Sequence, residues 1–330
     1  MFQYKIRLII GAAILFSRLL SGFGGLAEAG GQAKTYRLDE QQLKEVSDKS
    51  EDKFRLEVAK IKQLANTGQT KALGEAFIKL KKDYPGTAGA DFDAFVKAEK
   101  LYCKGKYVKA VRAYDKLLFA FPESQFVESA LDREFAIATA YLGGQKKPIL
   151  GIFKMKGYAE GERIMERISN RTGDAPISVK ANLAVANGLE KRGKFNEAYH
   201  KWSQISSRWP TGQVGKDALL GMARCKHSAY KGTKYDASSL VSAKTYYENF
   251  RLRYPKDARE IDVEGKLKQI DEQLAYKQFS IGHYYQKAGQ QQPANLYFQM
   301  VLDNWPDSKA AEMAKEKMSD KEPSMKRQKK

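Results

Sequence analysis

The stretch Gly188-Leu189-Glu190-Lys191-Arg192-Gly193-Lys194-Phe195 comes close to a loop that grips nucleotide phosphates. Such a loop needs glycines so that its backbone N–H groups can close on the phosphates, a Lys for the outer oxygens, and a Ser or Thr hydroxyl for magnesium. Phe195 stands where the hydroxyl is required, and the surrounding pattern reads helix–turn–helix with no strand ahead of it. A second glycine cluster, Gly22-Phe23-Gly24-Gly25-Leu26-Ala27, resembles a dinucleotide fingerprint but has no strand–helix–strand unit around it. His200, His227 and His283 are the three histidines, and they fall in different segments with no shared partner motif. Cys103 and Cys225 show neither CxxC spacing nor a Cys/His cluster, so no zinc site is readable. They leave two readings open, a disulfide between them or two buried thiols, and the second is the expectation. Asn170-Arg171-Thr172 has the form of a glycosylation sequon, for which chance is the simpler account. The expectation is therefore a protein with no enzymatic activity, no cofactor and no metal centre.

The elements that carry these residues are set by a repeat. From Gly105, Ala110 lies at +5, Tyr114 at +9, Leu117 at +12 and Phe121-Pro122 at +16 and +17. From Gly193 the same offsets give Ala198, Trp202, Ile205 and Trp209-Pro210, and from Gly289 they give Ala294, Phe298, Val301 and Trp305-Pro306. Gly68 leads to Leu73, Phe77, Leu80 and Tyr84-Pro85. Counting back from Pro255 recovers Ala243, Tyr247, Phe250 and Tyr254 without the opening Gly. Offsets that grow by four, three and four put these side chains on one stripe of a helix. Gly permits a backbone reversal between two helices, Ala lets a neighbouring helix come close, the ring fills the wider gap beside it, and Pro ends the helix.

Seven and four positions before the Gly stand Ala98 and Leu101, Ala186 and Leu189, and Gly282 and Tyr285. A small residue, a bulky one and then the turn describe the first helix of a helical hairpin. The pattern is similar to the tetratricopeptide repeat (TPR), with its small-x-x-Tyr, Ala-x-x-x-Phe and closing Pro. The predicted fold is all-α: a TPR-type helical-hairpin solenoid over 51–319, with about five to six repeats and a C-terminal capping helix near 308–318. Between 126 and 173 the pattern weakens. Phe135, Ala138 and Tyr141 suit a first helix, and Ile164, Met165 and Ile168 suit a second one displaced by an insertion. A similar insertion at 230–236 precedes the fifth unit, and the sixth opens on a long helix of about 261–287.

Residues 1–29 read as a secretory signal peptide or an N-terminal anchor. Lys5 and Arg7 precede the apolar run Leu8 to Phe16, and Ala27-Glu28-Ala29 has the A-x-A form of a cleavage site. Residues 30–50 read as a linker and the start of the first helix, and 320–330 as a basic disordered tail. The formal net charge of +19 belongs mainly to the body of the chain and favours anionic partners. Export argues against nucleic acid and leaves an anionic envelope surface, lipid or glycan, as a further partner.

Stacked hairpins leave a concave face lined by their first helices, and such a groove binds polypeptide without supplying catalysis. The register assigns to it Phe95, Glu99 and Tyr102, then Asn187, Glu190 and Lys191, then His283, Gln286 and Lys287. The Leu-x-x-x-Tyr-Pro ending, the export signal, the TPR-like hairpins and the insertions at 150–158 and 230–236 together resemble the BamD (YfiO) family. The resemblance spans about 50–318. It implies a periplasmic scaffold in outer-membrane β-barrel assembly, with a barrel-assembly component docked around 240–318 and unfolded barrel substrates met around 52–122. This sequence departs from the family in having no cysteine before Cys103 to accept a lipid. A periplasmic location, in solution or at a membrane face, is what the resemblance implies. A TPR coordinator of envelope constriction and cell division, and a basic protein that binds anionic lipid or glycan, are the alternative readings.

Overall fold

The computed structural model describes residues 36–39, 42–45, 49–149 and 153–319. The segments read as a signal peptide or anchor and as a basic tail lie outside the described residues. The chain forms two compact units that divide between Ile137 and Ala138. Fourteen α-helices are found among the described residues, and the class is all-α, built from TPR-like helical hairpins.

The first unit contains α1 (Lys49–Asn66), α2 (Thr70–Asp83), α3 (Ala90–Cys103), α4 (Tyr107–Ala120) and the first part of α5 (Val127–Leu142). Ahead of them, β1 (Tyr36–Asp39) and β2 (Gln42–Glu45) pair as an antiparallel hairpin. Its core is aromatic. Phe126 stacks on Phe95 with ring centroids 4.7 Å apart, and Phe54 and Phe92 lean on Phe126 at 5.8 and 5.9 Å. Phe77 meets Phe92 and Phe95 edge-on, the geometry that the ring quadrupole favours.

The second unit contains the rest of α5, then α6 (Tyr158–Thr172), α7 (Pro176–Lys191), α8 (Phe195–Arg208), α9 (Gly212–Ser228), α10 (Ser238–Arg253), the short α11 (Pro255–Glu260), α12 (Val263–Lys287), α13 (Gln291–Asn304) and α14 (Lys309–Ser319). The long helix and the terminal cap fall where the sequence puts them. One core cluster joins α9, α10 and α12 around Tyr247 and Phe250, and another joins α12, α13 and α14 around Phe279 and Phe298.

The repeat is realised physically at every copy. Ala110, Tyr114 and Leu117 are fully buried, as are Ala294, Phe298 and Val301, and the equivalents in the other three copies are at most 4% exposed. The turn glycines Gly68, Gly105, Gly193 and Gly289 share φ values of 68–75°, a region that costs any other residue steric strain. At each, the Gly N–H and the next N–H turn back to the helix just ended. Gly105 donates to Tyr102 O at 2.8 Å and Lys106 to Leu101 O at 2.9 Å, a Schellman-type end that satisfies last-turn carbonyls.

The other end is just as regular. Tyr84, Phe121, Trp209, Tyr254 and Trp305 all cap their helices with φ between −128° and −140° and ψ between 60° and 76°. A following Pro disfavours the helical region for the residue before it. Each of these residues still donates its N–H to the carbonyl four positions back, so the helix closes its last turn and stops. Close approach also needs small residues on the facing helix. A Cβ on Gly221 would lie 2.4 Å from the Trp202 ring, and one on Gly282 would lie 2.8 Å from Phe298.

The insertion between α5 and α6 is a β-hairpin, which the sequence reading did not anticipate. β3 (Lys146–Ile149) pairs antiparallel with β4 (Phe153–Lys156). The strands have four residues each, and Lys146-Lys147-Pro148 offers no apolar alternation to reveal them. The hairpin is held at its root, where Gly157 donates to Gln145 O at 2.8 Å. A Cβ on Gly157 would lie 2.3 Å from Tyr141 Cδ1, so the root is packed against α5.

Candidate interaction surface

Two of the nine residues assigned to the groove are interior. Phe95 is fully buried under the stacked ring of Phe126, so it is a core residue and not a contact. Glu99 is also fully buried. Its carboxylate takes a bidentate hold from Arg133, with Nε to Oε1 at 2.7 Å and Nη2 to Oε2 at 2.8 Å. The Tyr114 hydroxyl donates to Oε1 as well, at 2.6 Å. Arg133 also donates to Asn66 Oδ1 and Lys62 O, and its guanidinium lies 4.3 Å from the centre of the Tyr102 ring. Burial chiefly, and the Glu99 charge next, push the Tyr114 hydroxyl well above its ordinary pKa. This cluster ties α1, α3, α4 and α5 together, and Tyr102 belongs to it as a half-buried lid.

Glu190 repeats the arrangement in the second unit. Arg224 Nε reaches Oε1 at 2.7 Å and Nη2 reaches Oε2 at 3.0 Å, while Trp202 Nε1 donates to Oε2 at 3.1 Å. Tyr114 and Trp202 occupy the same repeat position, nine residues after their glycines. Both carboxylates sit 34 positions before their arginine, which is one TPR period. The sequence reading missed Arg133 and Arg224. An acid followed by a base at that offset was the signal that could have found them.

Asn187 and Lys191 are exposed on α7, and Lys287 is exposed at the end of α12. Gln286 is half-buried. His283 stacks almost flat on Phe279 at 5.9 Å, and its buried Nδ1 has no hydrogen-bond partner among the described residues. His200 is exposed on α8, and His227 meets Gln273 at 3.2 Å. The three histidines are therefore not gathered into one site. Among the described residues no group of three or more His, Cys, Asp and Glu could hold a metal ion. Both cysteines are free thiols, Cys103 half-buried and Cys225 buried. The disulfide reading is thus set aside, and only Cys225 meets the expectation of a buried thiol. Burial, and secondarily the Glu190 charge, push the Cys225 thiol up to about 12.

The last hairpin, α12–α13, presents rings that the groove assignment left out. Tyr285 stacks on Tyr297 at 5.6 Å, and Tyr284 meets Tyr285 edge-on at 5.8 Å. Tyr284 is 69% exposed and Leu296 63% exposed. One exposed and two half-buried tyrosines on the hairpin that also carries Leu296 and Lys287 give it a composition suited to a protein-binding surface, where rings supply contact area at little entropic cost.

Residues 219–330 match the family YfiO, outer membrane lipoprotein. The match begins within α9, covers the whole of α10–α14, and takes in the exposed Tyr284 and Leu296 of the last hairpin. Over that third of the chain the protein is similar to the YfiO family, and the match includes two of the five aromatic–Pro endings, at Tyr254 and Trp305. No curated protein sequence matches the chain. Among the described residues no helix is long and apolar enough to cross a membrane.

Proposed function

We propose that the protein is a BamD-like TPR scaffold, exported to the periplasmic side of the envelope, that binds partner domains and extended polypeptide segments during outer-membrane β-barrel assembly. The YfiO match over 219–330 is the observation that carries this reading. It is supported by the kind of surface offered: a helical hairpin with exposed Tyr284 on α12 and exposed Leu296 on α13 suits a docked partner domain. Partner docking is assigned to 240–318 and substrate contact to 52–122. Asn187, Lys191, Gln286 and Lys287 remain the proposed contacts from the original set, joined by Tyr284 and Leu296. The role is that of a binding scaffold, with no chemical step.

The test is affinity purification of the full chain from its own envelope, with the Tyr284→Ala/Leu296→Ala double variant alongside. Co-purification of a barrel-inserting protein, lost in the variant, is the expected result. Unchanged outer-membrane barrel levels after depletion of the protein would overturn the proposal.

A further inference from the structure

The β3–β4 hairpin has a composition that neither scaffold docking nor core packing explains. The segment from Gly143 to Ala159 holds four lysines, at 146, 147, 154 and 156, and no Asp or Glu. Its register pairs Lys146 with Lys156 directly across the strands, and like charges so placed destabilise a hairpin. Lys146 and Lys156 thus share one face with Lys154, which lies opposite Pro148. The other face carries Phe153 and Met155, 67% and 60% exposed. Lys147 on that face is engaged by Glu160 at 3.0 Å. What remains is an amphipathic hairpin, basic on one side and apolar on the other, fixed at its root by Gly157.

We propose that this hairpin is a membrane contact: Phe153 and Met155 enter the interfacial layer of an anionic phospholipid bilayer, and Lys146, Lys154 and Lys156 meet its headgroups. The two faces select this occupant together. A polyanionic glycan or nucleic acid would neutralise the lysines but offers no continuous apolar layer to bury the Phe and Met side chains together. A bilayer does both, because long lysine stems can lie along apolar surface while their ammonium groups reach the phosphates. Neutralising Lys146 and Lys156 also removes the cross-strand repulsion, so binding and hairpin stability reinforce each other. The proposal goes beyond the scaffold reading and stands without it: a protein that bound no barrel component could still dock in this way.

The test is flotation of the full chain with vesicles of phosphatidylglycerol mixed with phosphatidylcholine, against pure phosphatidylcholine vesicles. Each lysine near an anionic surface strengthens binding roughly five-fold. Lys154→Glu/Lys156→Glu is therefore expected to weaken binding by at least about 25-fold, and Phe153→Ser/Met155→Ser to weaken it as well. Because the N-terminal apolar run could bind vesicles by itself, a local readout is needed. Met155→Cys in a Cys103→Ser background, labelled with an environment-sensitive nitrobenzoxadiazole dye, should shift its emission to the blue and be quenched by quenchers placed in the acyl chains. Cys225 is buried and stays unlabelled in the native protein. Absence of the blue shift on phosphatidylglycerol vesicles overturns the proposal. So does an equal blue shift on both kinds of vesicle, or a blue shift produced by envelope proteins and not by lipid.

Discussion

Replacing Arg133 by Met isolates what the buried cluster of the first unit contributes. The substitution keeps an unbranched apolar stem and removes the guanidinium. Among the described residues, Glu99, fully buried, is then left with only the Tyr114 hydroxyl, and Asn66 Oδ1 and Lys62 O each lose the Arg133 donor. Breaking a buried ion pair on one side costs about 3–5 kcal/mol, and Glu99→Met should cost a similar amount by stranding the arginine. The double variant, Glu99→Met with Arg133→Met, strands no charge. Its loss is confined to the neutral groups left behind, Tyr114, Asn66 and Lys62 O, and should come to about 1–3 kcal/mol. The two singles together should therefore exceed the double by at least about 2 kcal/mol. Tryptophan fluorescence would miss the effect, since Trp202, Trp209 and Trp305 all lie in the second unit. Hydrogen exchange followed on peptides from α1, α3 and α4 reads the correct region. If the double variant loses as much protection as the two singles combined, the pair is not coupled and the argument from burial fails. The Glu190–Arg224 pair provides an internal comparison. Arg224 is 36% exposed, so solvent screens the interaction, and Arg224→Met should cost far less.

Two further outcomes follow from the packing. Gly221→Ala should destabilise the second unit by about 1–3 kcal/mol, because its Cβ would press on the Trp202 ring, whereas Gly74→Ala, a helical site with nothing within 4 Å, should stabilise the first unit by about 0.5–1 kcal/mol; urea unfolding and hydrogen exchange measure both. Cys225, with its thiol raised to about 12, holds about one part in ten thousand of its thiolate at pH 8. A thiol reagent at that pH should modify Cys103 first and reach Cys225 only on unfolding; rapid labelling of both in the native protein would contradict the burial described.

The repeat was legible because each position acts locally. Gly at the turn, Ala at the close contact, a ring four residues on and an aromatic–Pro stop each do their work within about twenty residues of chain, and the structure has them at the expected places. The groove was less legible, because a single-helix register cannot tell an inner face from an outer one. Phe95 and Glu99 lie on the stripe that meets the next hairpin, and only the position of Phe126 and Arg133, further along the chain, decides that. A charged residue such as Glu99 reads as solvent-facing until its partner one period later is counted. The hairpin between α5 and α6 was hidden for another reason: its strands are short, lysine-rich and interrupted by Pro148, so they carry no apolar alternation.

The five aromatic–Pro stops have a consequence for how such a chain can change. Each of these five helix ends is written into two adjacent residues, whose backbone sterics stop the helix whatever the ring packs against. A hairpin can therefore be gained, lost or lengthened by genetic accident without the punctuation of its neighbours having to be reset. The β3–β4 hairpin fits this: it stands between two helices, and the next copy of the pattern still starts at Gly193 and closes on Trp209-Pro210.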